Sequence, residues 1–105
     1  MLEKLNEINA LYDIYRYLLT DKQREYVELY YQEDLSLAEI ANAFGVSRNA
    51  VHDNIRRTEK LLVGYEEKLK IHEKASNRQA LYDKIRECTA RQDVLILLKQ
   101  LESVE

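Results

Sequence analysis

Proline and tryptophan are absent from this 105-residue chain, glycine occurs twice, and phenylalanine and cysteine occur once each. Tight turns draw on glycine and proline, so the shortage argues against parallel-sheet enzymes and all-β barrels and leaves nearly every residue free to be helical. A single cysteine, Cys88, excludes an internal disulfide and any cysteine-cluster metal site. No apolar run approaches the roughly 20 residues of a membrane span. The opening residues, Met1 to Glu7, read as acidic and amphipathic rather than as a secretion signal, so the cytoplasm is the expected compartment. Sixteen basic against 19 acidic side chains give a net charge of −3. That excludes a chain that holds nucleic acid by bulk charge, but not one with a local basic face.

What remains is helical periodicity. Leu2, Leu5, Ile8, Leu11, Tyr12, Tyr15, Leu18 and Leu19 recur at spacings of three and four, one stripe of an amphipathic helix over about residues 2–19. Thr20 with Gln23, and Ser36 with Glu39, form two capping boxes, each opening a helix. The first runs to about Gln32 with a wide face of Tyr26, Val27, Leu29, Tyr30 and Tyr31, and Glu33-Asp34 then read as a turn. The second is short, with Leu37, Ile40, Ala41 and Phe44 inward, and Gly45 ends it. Ser47 caps a third, with no breaker before Ser76-Asn77 unless Gly64 interrupts it. Along it Val51, Ile55, Thr58, Leu62, Tyr65, Leu69 and His72 alternate spacings of four and three, a heptad-like seam. Further helices are predicted over about 77–89 and 91–103. The second carries Val94 to Leu98, five consecutive apolar residues that require burial on several sides. The expected fold is a single all-α domain over 1–105: a helix-turn-helix core at 20–62 without a wing, extended over 63–105 by the long helix and C-terminal helices suited to oligomerisation.

The informative stretch is Leu37 to Leu62. A short helix, the corner Phe44-Gly45-Val46-Ser47 and a second helix make a helix-turn-helix signature. Small Ala41 lets the helices approach, Gly45 supplies a positive φ, Val46 is expected to plug the corner, and Val51 and Ile55 pack onto Ile40 and Phe44. Ser47 aims the second helix's N-terminus, with its partial positive charge, at a phosphate. In this geometry that helix enters the major groove. Arg48, Asn49, His52 and Arg56 are then base-facing candidates, arginine suiting guanine and asparagine adenine. Arg56, Arg57 and Lys60 can reach backbone phosphates. Charge distribution agrees: residues 1–35 carry −4, residues 36–62 carry +1, and residues 63–105 are neutral. Asp53 would oppose phosphate if turned outward.

The stretch Leu19-Thr20-Asp21-Lys22-Gln23-Arg24-Glu25, with Tyr30, Ser36-Leu37-Ala38-Glu39-Ile40-Ala41 and Gly45-Val46-Ser47-Arg48, resembles region 4 of sigma-70-type factors, the promoter readers. The likeness covers about residues 19–62. The 18 residues before it leave no room for a polymerase-binding region, and the proline frequent after the equivalent of Leu19 is absent. The whole chain, with Val51 to Leu62, is similar to the YlxM-type family of small helix-turn-helix proteins of Gram-positive bacteria. That family's genes lie beside those of the signal recognition particle. The resemblance implies a DNA-binding regulatory protein acting in or regulating that pathway.

Blander readings compete. A helix-turn-helix also serves as plain packing or as a protein-docking module. His52-Asp53 could suggest a metal dyad, but the only other histidine, His72, lies about 30 Å away if their helix is continuous. Cys88 fits an apolar position. Tyrosines at 12, 15, 17, 26, 30 and 31 could stack on single-stranded RNA, although core with hydroxyls at the rim is the favoured reading. No nucleophile–base pair, phosphate-binding loop or paired carboxylates stands out. The expectation is a non-enzyme without cofactor, metal or small-molecule substrate and without membrane contact. It would act as a homodimer whose two reading helices meet grooves about 34 Å apart. The alternatives are an accessory factor binding signal recognition particle RNA or its GTPase through the same motif, and a purely structural oligomerisation module.

Overall fold

A computed structural model describes residues 2–104. Among these there is no strand. The helices are α1 (Leu2–Tyr15), α2 (Asp21–Val27), α3 (Leu37–Phe44), α4 (Arg48–Leu69), α5 (Ile71–Cys88) and α6 (Gln92–Val104). A 3₁₀ turn, Arg16–Leu18, follows α1, and a π-helical turn, Glu28–Gln32, follows α2. The fold is therefore all-α, as the composition required. No helix among the described residues is long and apolar enough to cross a membrane. The chain parts into two compact units, Met1–His72 and Glu73–Glu105. That division lies ten residues beyond the one read from sequence between core and extension.

The first unit holds nearly all of the buried side chains. Ile8, Leu11, Tyr12 and Tyr15 of α1 pack with Leu19, Val27 and Leu62. Tyr26, Ile40, Ala41, Val51 and Ile55 form a second cluster that sets α3 against α4. Tyr31 packs against both clusters. Sequence chemistry explains the helix starts. Thr20 accepts from the Gln23 N–H while the Gln23 side chain accepts from the Thr20 N–H, and Ser36 and Glu39 do the same. Each box satisfies two donors that a helix start otherwise leaves orphaned.

Four expectations are corrected. The stripe of α1 does not extend as one helix to Leu19: the chain tightens at Arg16–Leu18, and Tyr17 and Leu18 are exposed. Val46 does not plug the corner but is exposed; the turn is held instead by the N–H groups of Gly45 and Val46, both donating to the Ala41 carbonyl. The helix from Ser47 does not continue to Ser76. It stops at Leu69, and Lys70 takes a left-handed conformation (φ 54°, ψ 32°). Acceptors from elsewhere compensate the break. The Ile71 N–H donates to the Tyr15 hydroxyl at 3.4 Å and the His72 N–H to a Glu66 carboxylate oxygen at 3.0 Å. The separation expected between His52 and His72 rested on the continuous helix and does not hold as drawn. Last, Val51, Ile55, Thr58 and Leu62 are buried within the chain's own core, so this part of the seam is not available to a second chain.

The second unit differs. Of the run Val94–Leu98 only Leu98 is buried, while Ile96 and Leu97 are 56% and 61% exposed. Cys88 is exposed rather than packed.

Candidate nucleic-acid interface

The corner between α3 and α4 is built as its sequence demands. Gly45 has φ +64°, a conformation glycine adopts without a Cβ clash. Ser47 is extended, and its Oγ accepts from the Ala50 N–H at 3.1 Å. The hydroxyl hydrogen is left to donate outward beside the open helix N-terminus. Packing of Val51, Ile55, Thr58 and Leu62 fixes the rotation of α4 about its axis. Thr58, fully buried, donates its hydroxyl to the Asn54 carbonyl at 2.9 Å. It therefore needs no other partner.

That rotation presents all seven sequence-predicted residues to the outside: Ser47, Arg48, Asn49, His52, Arg56, Arg57 and Lys60 are exposed. Their places differ. At 100° per residue, Lys60 lies within about 10° of the direction opposite the buried stripe, Asn49 within about 30°, and Arg56 and Arg57 within about 50° on either side. His52 stands near the flank, and Arg48 faces outward because it occupies the first turn, at the open end of the helix. Arg48, Arg56, Arg57 and Lys60 have no ion-pair partner among the described residues.

The acidic side chains of the motif sort by the same logic. Glu39 is engaged in the Ser36 capping box, and the Ser36 N–H holds its carboxyl below the usual carboxylate range. Glu59 turns inward. It accepts from the Tyr31 hydroxyl and pairs with Lys4 at 3.5 Å, its side chain only 14% exposed. Burial first, then the Glu59 contact, pushes the Tyr31 hydroxyl well above the ordinary phenol range. Only Asp53 points out, about 10° from the centre of the outer face, its carboxylate 3.6 Å from His52 Nδ1. Over residues 48–62 the outer face of α4 thus carries four cations against one anion. It is more basic than the net +1 of residues 36–62, because two of that segment's three acids are tied elsewhere. Asp53, expected to oppose phosphate if turned outward, is turned outward, as its place between the buried Val51 and Ile55 requires.

The family model described as "Putative helix-turn-helix protein, YlxM / p13 like" matches residues 2–102. A protein of Streptococcus pneumoniae serotype 19F, named only as a UPF0122 protein, is 53% identical over 94 residues, covering 90% of this chain and 86% of its own. A second, from Streptococcus pneumoniae strain JJA, is 56% identical over 86 residues, 82% of this chain and 78% of its own.

Proposed function

The chain belongs to the YlxM/p13-like family of helix-turn-helix proteins, and from that premise we propose that it is a duplex-DNA-binding regulatory protein, not an enzyme, that reads a groove with the first four turns of α4. The observation that carries this is the outward face of four cations and one anion on a chain of net charge −3. Arg48 and Asn49, at the open end of the helix, read base edges. Arg56, Arg57 and Lys60 hold phosphates, and Ser47 with the helix N-terminus holds another. The likeness of residues 19–62 to sigma region 4 supports a promoter element as target, and two copies acting together in the cytoplasm would read two half-sites. The test is a duplex selection followed by fluorescence titration. Arg48→Ala with Asn49→Ala should abolish sequence preference at unchanged helicity. A wild-type protein without preference for any duplex would overturn the reading.

One observation favours a second reading. Asp53 stands at the centre of the face, where a purely phosphate-binding surface has no use for an anion. An accessory factor that docks the same face on signal recognition particle RNA or its GTPase accommodates Asp53 opposite a cationic or hydrogen-bond-donating group. Labelled duplex, labelled particle RNA and the purified GTPase titrated side by side decide between the two.

A further inference from the structure

The first unit carries a groove that the reading face of α4 does not use. It lies between α2 with its π turn and the end of α3, and it measures about 460 Å³. Half-buried Leu29, Leu35 and Phe44 form its floor. Glu25, Glu28 and Glu33 line its rim with Gln32, and among the described residues no cation joins them. Leu35 also lines the next hollow, over Tyr30 and Tyr31. Asp34 stands at the edge of that hollow, and its one cation, Lys4, is already paired with Glu59.

The rim is not neutralised from within. Residues 21–35 carry five acidic side chains and two basic ones. Both cations are engaged away from the groove. Arg24 pairs with Asp21 and donates to the carbonyls of Arg16 and Leu19, and Lys22 sits over the Tyr26 ring. Glu25, Glu28, Glu33 and Asp34 have no ion-pair partner among the described residues. Glu28 is held in place from the core by the Tyr12 hydroxyl, which donates to its carboxylate. An apolar floor with a rim of one sign repels phosphate and acidic chains and attracts a cationic one.

We propose that this groove docks a basic amphipathic helix of a partner protein. The floor takes one or two apolar side chains of that helix, and lysine or arginine beside them reaches the glutamates of the rim. Long basic side chains suit the site doubly, since their methylene stems cover apolar surface while the charged heads stay in water. An apolar stripe laid in an open groove is a recurring mode of helix recognition, and here the sign of the rim selects which helix fits. The inference is independent of whether α4 faces DNA, RNA or protein.

The probe is a synthetic amphipathic helix of about four turns, a leucine stripe flanked by lysines, titrated into the full chain by fluorescence anisotropy and NMR. Saturable micromolar binding is expected, with shifts centred on Leu29, Leu35 and Phe44. Glu25→Lys with Glu33→Lys should weaken it about tenfold, since each exposed ion pair is worth up to about fivefold. Glu7→Lys with Glu67→Lys, an equal change of charge elsewhere on the unit, should weaken it less than about twofold. Glutamate in place of the peptide's lysines, or serine in place of its leucines, should abolish binding. Glu25 and Glu33 are exposed, so both variants should fold; circular dichroism checks this, and Glu25→Gln with Glu33→Gln decides if the reversal unfolds the chain. Binding that survives either peptide change, equal loss in the two reversals, or shifts confined to α4, α5 or α6 overturns the proposal. So does sedimentation in which wild-type chains self-associate and Glu25→Lys with Glu33→Lys separates them, because a second copy then fills the groove.

Discussion

Replacing Asp53 with alanine should strengthen nucleic-acid binding, and the geometry of α4 sets how much. Its carboxylate stands near the centre of the outer face, flanked by Asn49, Arg56, Arg57 and Lys60. A phosphate about 8 Å from it in water is repelled by about 0.5 kcal/mol. At about 50 mM salt, where the screening length is roughly 14 Å, about 0.3 kcal/mol of that survives. Two phosphates at that range give about 0.6 kcal/mol, a roughly threefold gain in affinity. Near 0.5 M salt the screening length falls to about 4 Å and the gain should drop below about 1.5-fold. Alanine is preferred to asparagine because an amide at this place could itself read adenine.

Fluorescence anisotropy of labelled duplex across a salt series is the assay. The wild-type baseline follows from the same face. If Arg56, Arg57 and Lys60 each neutralise one phosphate, log affinity should fall with log salt at a slope of about −2.7 per copy. Moving from about 50 to 200 mM then weakens binding roughly 40-fold. An Asp53→Ala protein of normal helicity that binds no more tightly at low salt would refute the placement of this face against phosphate, and would favour a protein partner that uses the carboxylate.

Other substitutions probe the scaffold. A Cβ on Gly64 would meet nothing within 4 Å, so Gly64→Ala should raise stability by about 1 kcal/mol, read as a higher urea midpoint; an unchanged midpoint would mean the helix is not limiting there. Lys70 holds a left-handed conformation, so Lys70→Gly should stabilise by about 0.5–1 kcal/mol, and a loss would show that its side chain matters more than its backbone. Burial, and hydrogen bonds to Glu28 and Glu66, raise the hydroxyls of Tyr12 and Tyr15 above the usual 10.0. A raised folded value gives stability that is present below the unfolded value and lost as pH rises, so the melting temperature should fall steeply above about pH 10, and Tyr12→Phe should flatten that limb.

What was legible in the sequence is what neighbours in the chain decide. The capping boxes at Thr20 and Ser36, the left-handed Gly45 and the Ser47 cap each depend on residues within four positions, and each stands where the pattern put it. The break at Lys70 was not legible. Nothing in Glu67-Lys68-Leu69-Lys70-Ile71 marks an end, and the groups that receive the freed N–H donors include Tyr15, 56 residues from Ile71. The π turn at Glu28–Gln32 was hidden for a related reason, since Tyr30 and Tyr31 both pack against the second cluster. Residues 94–98 misled because an apolar run states a need for burial without saying whether the same chain meets it. For the interface, the exposure of Asn49, Arg56, Arg57 and Lys60 was readable from the spacing of Val51, Ile55, Thr58 and Leu62, whereas Ser47 and Arg48 are exposed by their place at the helix start. The inward turn of Glu59 was not, because its partners lie on α1 and the π turn.

That inward turn bears on binding as well as folding. Three tyrosine hydroxyls in the first unit donate to carboxylates on other elements: Tyr12 to Glu28, Tyr15 to Glu66 at 2.7 Å, and Tyr31 to Glu59. The last pair sits behind the reading face, because Glu59 is three residues from Arg56 and one from Lys60. Tyr31→Phe removes the donor but keeps the ring against both clusters. Glu59 then keeps only Lys4, an exposed partner worth little in water. Arg56 lies within reach at i−3, where opposite charges on a helix attract by about 0.2–0.5 kcal/mol. Affinity for duplex should therefore fall by up to about twofold at low salt, opposite in sign to Asp53→Ala, although Tyr31 touches no ligand. Equal or tighter binding by a folded Tyr31→Phe protein would show that Glu59 is held inward without the phenol, and that the basic face does not depend on the tyrosine behind it.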